Sequence, residues 1–224
     1  MNLAFVCVGA GRGVRFGGDK LAEMLGARTV FATALGALAQ AVPEALMVVV
    51  VGDGRLEFWR DHLSPEFPQA RLVSGGDRRQ DSVRAGVLYA AQAGAEVVAV
   101  HDAARPLVNP VDVQAVIRAV GGAAGAILSA RVSDTVKRVD GNDMIVDTLA
   151  RDRLRLALTP QVFQIATLME VWQRADLKRE WTDEATLLES AGIPVRSVLA
   201  RNPNPKVTTE ADLRVVRAIM GSLS

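Results

Sequence analysis

The sequence predicts an α/β fold: a mostly parallel sheet covered by helices on both faces, with a β-arm protruding from it. Three observations carry this. Short β-branched apolar runs alternate with longer segments of helical spacing, the runs are uninterrupted as in strands buried on both faces, and polar or glycine-rich loops follow them.

Residues 3–8 form the first such run, which empties into residues 9–20 with their five glycines and three cations. Residues 30–42 are rich in Ala and Leu at helical spacing, and residues 46–51 are again apolar and β-branched, so helix and buried strand follow. A weaker helix is expected over about 54–63 and a short strand over 71–73, ended by Gly75-Gly76. Asp77 with Gln80 resembles a capping box and opens a helix carrying Val83, Val87, Leu88 and Ala91 on one face. Residues 96–100 are the next buried strand. The compact polar loop His101-Asp102-Ala103-Ala104-Arg105-Pro106 leads to Asn109, a helix cap with Pro110 at the first position. Residues 125–129 read as a strand.

From about residue 132 the pattern changes. Residues 134–139 alternate, Asp140-Gly141 is a hairpin-type turn, and residues 144–146 return. Such a polar two-stranded arm is marginal alone in water, so it packs either on a second subunit or back on its own domain. Helices are expected over 166–177 and 183–191 and a strand over 194–199. Thr209 with Asp212 opens a final amphipathic helix. No repeat or interdomain linker interrupts the 224 residues, which read as one domain with an arm at about 133–150.

Composition excludes several classes. Twenty-six basic and 25 acidic residues give a net charge of +1, too little field for general nucleic-acid or anionic-membrane binding. Half of the residues are hydrophobic, enough for a full core. One cysteine precludes an intrachain disulfide, and with two histidines it makes no His/Cys zinc set. No apolar run approaches membrane length and no secretory leader is apparent, so a soluble cytoplasmic protein is expected.

Loops after strands converge on the ligand in such sheets, and those at 9–20, 74–82 and 101–106 are the unusual ones. The first fits neither common phosphate motif. A dinucleotide fingerprint from Gly9 meets Val14 at its third glycine, one from Gly11 meets Phe16, and a P-loop from Gly13 puts Asp19 in the lysine position. A glycine-rich loop carrying Arg15 and Lys20 remains. Ala10, Gly11 and Gly13 could offer main-chain N–H groups to a polyphosphate there, or the segment could be a surface turn. Arg15 and Lys20 are suited to stabilising charge on phosphate oxygens rather than to taking protons. Asp102 could ligate magnesium or neutralise Arg105. Asp77 and Ser82 suit a helix start, or could read a base edge from it. Lys206, with the free N–H groups of the last helix, could hold a second phosphate. Arg151 or Arg153 could complete a phosphate clamp if the arm reaches a neighbouring site.

Taken in order, Gly9-Ala10-Gly11 to Lys20, Gly75-Gly76-Asp77-Arg78 through Ser82-Val83, His101 to Pro106, Asp134-Thr135-Val136-Lys137, Leu158-Thr159-Pro160-Gln161, Thr182-Asp183-Glu184-Ala185 and Lys206-Val207-Thr208 resemble the 2-C-methyl-D-erythritol 4-phosphate cytidylyltransferases of the non-mevalonate isoprenoid pathway. The resemblance implies a Rossmann-like sheet of the nucleotide-diphospho-sugar transferase type and a homodimer formed through the arm. It implies attack of the sugar-alcohol 4-phosphate on the α-phosphorus of CTP, with Mg²⁺ or another divalent cation as cofactor. By position, Arg15 and Lys20 would stabilise the transition state. Ala10, Gly11, Gly13, Gly76, Asp77 and Ser82 would bind the nucleotide, with Asp102, Ala103 and Arg105 beside the triphosphate and metal. Arg151 and Lys206 would position the sugar phosphate, in a pocket that Thr135 and Thr159 also line.

The family usually carries Ala-Ala-Gly and Pro-Lys-Gln in the first loop, where this chain has Gly9-Ala10-Gly11 and Asp19-Lys20-Leu21. Asp19 places a carboxylate beside the lysine. An alditol 5-phosphate such as ribitol 5-phosphate is the alternative substrate, and a CTP-binding regulatory homologue with weak catalysis is the other alternative. No fused downstream cyclodiphosphate synthase is expected after the last helix.

Overall fold

The computed structural model describes residues 2–11 and 16–223. Its strands are β1 (Leu3–Gly9), β2 (Met24–Leu25), β3 (Arg28–Thr29), β4 (Leu46–Val51), β5 (Arg71–Ser74), β6 (Val97–Asp102), β7 (Gly125–Arg131), β8 (Val136–Val139), β9 (Ile145–Leu149), β10 (Arg155–Gln164) and β11 (Val195–Leu199). Its helices are α1 (Val30–Ala41), α2 (Leu56–Leu63), α3 (Arg79–Gln92), α4 (Pro110–Ala119), α5 (Ile165–Arg174), α6 (Glu184–Ser190) and α7 (Glu210–Leu223).

Seven strands make the main sheet in the order β11-β7-β10-β6-β1-β4-β5. All neighbours are parallel except β10, which runs antiparallel to both β6 and β7. The mostly parallel sheet of the expectation is therefore present. Burial on both faces explains why the central strands β1 and β4 are apolar throughout: Phe5 and Cys7 of β1 enter one core with Phe31, Leu35 and Trp59, while Ala4 and Val6 enter the other with Val83, Val87 and Phe163. Helix α3 lies close to the sheet because residue 86 is glycine; a Cβ there would meet Val6 Cγ1 at 2.5 Å and Val50 Cγ2 at 2.7 Å.

The sequence reading missed β10, in a stretch where Pro160 argues against a central strand. The ladder with β7 shifts register between Ala157 and Gln161, so the residue without an N–H falls at the irregularity. The start of α3 is also corrected. Arg78, not Asp77, is the N-cap, and the box partner is Asp81, whose Oδ2 accepts from the Arg78 backbone N–H at 3.3 Å. Gln80 instead ties down the 177–181 segment, donating to Leu177 and Arg179 carbonyls and accepting from the Trp181 N–H at 2.7 Å.

Other caps follow the expectation. Asn109 accepts from the Val111 N–H at 2.9 Å ahead of Pro110, and Asp212 accepts from the Thr209 N–H at 2.8 Å to open α7. The arm is a separate two-stranded sheet of β8 and β9, with Val139, Met144, Ile145 and Val146 all exposed.

Candidate active site

The carboxyl ends of β1, β5 and β6 open onto a cavity of about 420 Å³, bounded on one side by the segment preceding α7. Ala10, Gly11 and Lys20 reach it from the first loop, Gly76 and Asp77 from the β5–α3 connection, and Ser82 from the first turn of α3. Asp102 enters from the end of β6, Lys206 and Thr208 from the chain before α7. The three loops singled out in the sequence therefore do meet. An adjoining cavity of about 710 Å³ shares the first-loop and Gly76-Asp77 walls and extends toward Asp53, Arg55 and Trp59.

Close approach makes the meeting possible. A Cβ on Gly75 would lie 2.6 Å from Ala10 Cβ and 2.7 Å from Ser82 Oγ, so only glycine lets β5 leave the sheet between those two loops. Ser82 Oγ then accepts from the Gly76 N–H at 3.2 Å, fixing the turn against α3.

Asp102 is the electrostatic centre. Its Oδ2 lies 2.7 Å from Lys206 Nζ and its Oδ1 3.2 Å from Arg79 Nε, while Arg105 Nε stands 3.9 Å away. Burial alone would raise the carboxyl, but the Arg79 and Lys206 charges outweigh it and hold Asp102 well below the usual carboxylate range. Arg79 also bonds the buried Glu184 through Nη1, at 3.1 and 3.0 Å. Burial pushes the Glu184 carboxyl up, and the arginine only partly opposes it. Arg79 thus bridges two carboxylates, and their charges raise it further despite its own burial.

Beneath this lies a neutral hydrogen-bond relay. His101 is fully buried, and its Nε2 faces the Arg105 carbonyl at 3.1 Å; a carbonyl only accepts, so Nε2 carries the proton. Nδ1 then accepts from Thr159 Oγ1 at 3.0 Å, and that oxygen accepts the Asp102 N–H at 3.1 Å. Burial pulls the His101 pKa down to about 4, although the Arg105 carbonyl favours the charged form. Asn204 completes the frame, donating to the Thr159 carbonyl at 2.8 Å and accepting from Arg105 Nη1 at 2.7 Å.

A family model described as 2-C-methyl-D-erythritol 4-phosphate cytidylyltransferase matches residues 3–222. The chain belongs to that family. A protein of that name from Pelotomaculum thermopropionicum is 35% identical over 225 residues, covering 98% of this chain and 94% of the relative. The bifunctional enzyme IspD/IspF of Rhodopseudomonas palustris is 37% identical over 215 residues, covering 93% of this chain. The chain spans about half the length of such bifunctional relatives. The crystal structure of the 2-C-methyl-D-erythritol 4-phosphate cytidylyltransferase of Thermus thermophilus matches with a TM-score of 0.79 at 29% identity, over 98% of both chains. The Rossmann-like nucleotidyltransferase fold of this cytidylyltransferase family is thus the fold of the chain.

Of the family residues expected from sequence, Ala10, Gly11, Lys20, Gly76, Asp77, Ser82, Asp102 and Lys206 line the cavity. Gly13 and Arg15 lie outside the described residues. Three expected residues stand behind the wall rather than on it. Ala103 is buried with its N–H on the Val8 carbonyl at 3.0 Å, Arg105 points to Asn204, and Thr159 is the buried link of the relay. Thr135 and Arg151 belong to the arm and its base. Both are exposed, and Arg151 Nη1 donates to the Ser133 carbonyl. The N–H groups expected to stay open before the last helix are taken by Asp212, which accepts from Thr208 at 2.9 Å and Thr209 at 2.8 Å.

Sequence reasoning missed Arg79 and Glu184 as a pair. The signal was present: a cation in the first turn of a helix opposes the macrodipole and calls for a carboxylate nearby.

Among the described residues no group of three His, Cys, Asp or Glu side chains forms a ready-made metal cage. Magnesium at nucleotide sites takes one or two carboxylates and fills its shell with phosphate and water oxygens. Asp102 fits that limited role, because two close donors leave lone pairs on an ionised carboxylate at the cavity wall.

Proposed function

We propose that this chain transfers the cytidylyl group of CTP to 2-C-methyl-D-erythritol 4-phosphate, giving CDP-methylerythritol and pyrophosphate. Supporting this reading is one observation above the others: the family's loops converge on a single cavity lined by the cations Lys20, Arg78, Arg79 and Lys206, of which Arg79 and Lys206 hold Asp102 deeply ionised. Such a wall suits a polyanion, and the attacking phosphate, already ionised, needs no base.

In this mechanism Asp77 and the Gly76 backbone hold the cytosine edge, a carboxylate being a natural acceptor for the cytosine amino group. Lys20 faces the non-bridging oxygens of the α-phosphorus as charge builds there, the role that the resemblance also gives to Arg15. Lys206, held by Asp102, places the attacking 4-phosphate in line with the departing pyrophosphate. Asp102 would hold Mg²⁺, which, when bound, neutralises charge on the triphosphate oxygens.

The chain acts as a single domain over residues 1–224 and works in the cytoplasm as a homodimer. The exposed apolar tip of the arm, Met144, Ile145 and Val146, packs on the second copy. Arg151 and Thr135 then reach the sugar phosphate across that interface. Pyrophosphate release from CTP, compared between methylerythritol 4-phosphate and ribitol 5-phosphate, tests the assignment. Turnover with ribitol 5-phosphate alone assigns an alditol-phosphate transferase, and CTP binding without turnover a regulatory protein.

A further inference from the structure

We propose that Asp19 and Arg55 form a paired device that positions Lys20 and masks a carboxylate from the triphosphate. The inference rests on the reading of Lys20 as a phosphate-facing cation.

Asp19 precedes that lysine and lines the adjoining cavity, where an unpaired carboxylate would repel a polyanion. It is not unpaired. Its Oδ2 lies 2.5 Å from Arg55 Nη2, across 36 residues of sequence. Its Oδ1 accepts from the Leu21 N–H at 3.1 Å, closing a local turn around Lys20. The Asp19 carbonyl accepts from the Ala22 N–H at 3.1 Å, and the Lys20 N–H donates to the Gly18 carbonyl at 3.2 Å.

Both ends of this short segment are anchored in the core. Leu21 is buried, and its carbonyl accepts from the Phe31 N–H at 3.1 Å. Arg55 lies 4.2 Å over the Phe58 ring, which meets the buried Trp59 edge-on at 5.1 Å. Trp59 in turn packs against Phe31 at 4.9 Å, so both anchors share one aromatic cluster. The family usually sets proline before the lysine, which stiffens the chain covalently. Here the carboxylate stiffens it by two hydrogen bonds, and Arg55 supplies the charge that the aspartate would otherwise leave facing the nucleotide. At 32% and 42% side-chain exposure the pair adds little to global stability, so its effect falls on the site.

Steady-state kinetics on CTP with Asp19→Asn, Arg55→Ala, Arg55→Lys and the double variant Asp19→Asn/Arg55→Ala separates masking from scaffolding. Arg55→Ala uncovers the carboxylate and is expected to raise KM for CTP by about tenfold at low salt, and less at 1 M salt where charges are screened. Arg55→Lys keeps the charge and stays within about threefold of the parent. In the double variant the neutral side chain removes the repulsion, and KM is expected to return to within about threefold of the parent. Asp19→Pro, with or without Arg55, is expected to retain kcat. A double variant as impaired as Arg55→Ala or worse, or an Arg55→Ala enzyme with unchanged KM, overturns the pair. Lys20→Ala is the reference: if it leaves kcat intact, the parent reading of Lys20 fails and this inference with it. A large loss there with additive single effects overturns the pair alone.

Discussion

Lys206 Nζ lies 2.7 Å from Asp102 Oδ2, joining two residues that are 104 positions apart in sequence. The bond ties the segment before α7 to the end of β6 and fixes where the ammonium stands at the cavity. Replacing Lys206 with Met is expected to lower kcat/KM for the sugar phosphate by about 10²-fold while moving KM for CTP little. Kinetics with each substrate varied separately check this. A loss confined to CTP would place Lys206 on the nucleotide instead.

Arg79 is the second cation on Asp102, and it is also the counterion of Glu184, which is 4% exposed. Removing one partner of a buried ion network leaves the others uncompensated. Arg79→Met is therefore expected to destabilise the protein by about 3 kcal/mol. The double variant Arg79→Met/Glu184→Gln should recover part of that loss. Urea unfolding measures both, and equal stability of the single and double variants would count against the coupling.

His101 gives the protein a pH dependence of defined sign. Its pKa falls to about 4 in the folded state, below the ordinary histidine value of about 6.5, because burial favours the neutral ring. The folded state binds fewer protons in that window, so the contribution is complete above about pH 6.5 and is lost as pH falls toward 4. At about 1.4 kcal/mol per pH unit the full loss is about 3 kcal/mol. The raised carboxyl of Glu184 acts in the opposite direction. Comparing parent with His101→Gln at pH 7 and pH 4.5 isolates the histidine: their stability gap should narrow on acidification. A constant gap would exclude the buried neutral imidazole as its source.

The arm carries four exposed apolar side chains, Val139, Met144, Ile145 and Val146. If the arm joins two copies as proposed, Met144→Asp with Ile145→Lys is expected to give a monomer and, by withdrawing Arg151 from the proposed neighbouring site, to cut turnover by about tenfold or more. Light scattering and the turnover assay on the same sample check both. A parent protein that is already monomeric and fully active would contradict the arm's role.

Much of this was legible in the sequence because it rests on local chemistry. Continuous apolar runs announced β1, β4 and β6, and Asn109-Pro110 and Thr209-Asp212 announced two helix starts. The loops at Gly9–Lys20, Gly75–Ser82 and His101–Pro106 were recognisable because glycines and charges cluster where strands end. What stayed hidden depends on distant partners. The antiparallel β10 was masked by Pro160, whose place at a register shift is a property of the β7 pairing. Arg105, which the resemblance sets beside the triphosphate, turns its side chain to Asn204, 99 residues away. Asp19, which the sequence sets unfavourably beside Lys20, is paired by Arg55, 36 residues away.

The most direct test of the central claim is pyrophosphate release from CTP by the purified chain with Mg²⁺ and 2-C-methyl-D-erythritol 4-phosphate, set beside the same assay with ribitol 5-phosphate. The account expects turnover with the methylerythritol phosphate and at least about 10²-fold lower kcat/KM with ribitol 5-phosphate. No pyrophosphate release with the first substrate, or a preference for the second, would contradict it.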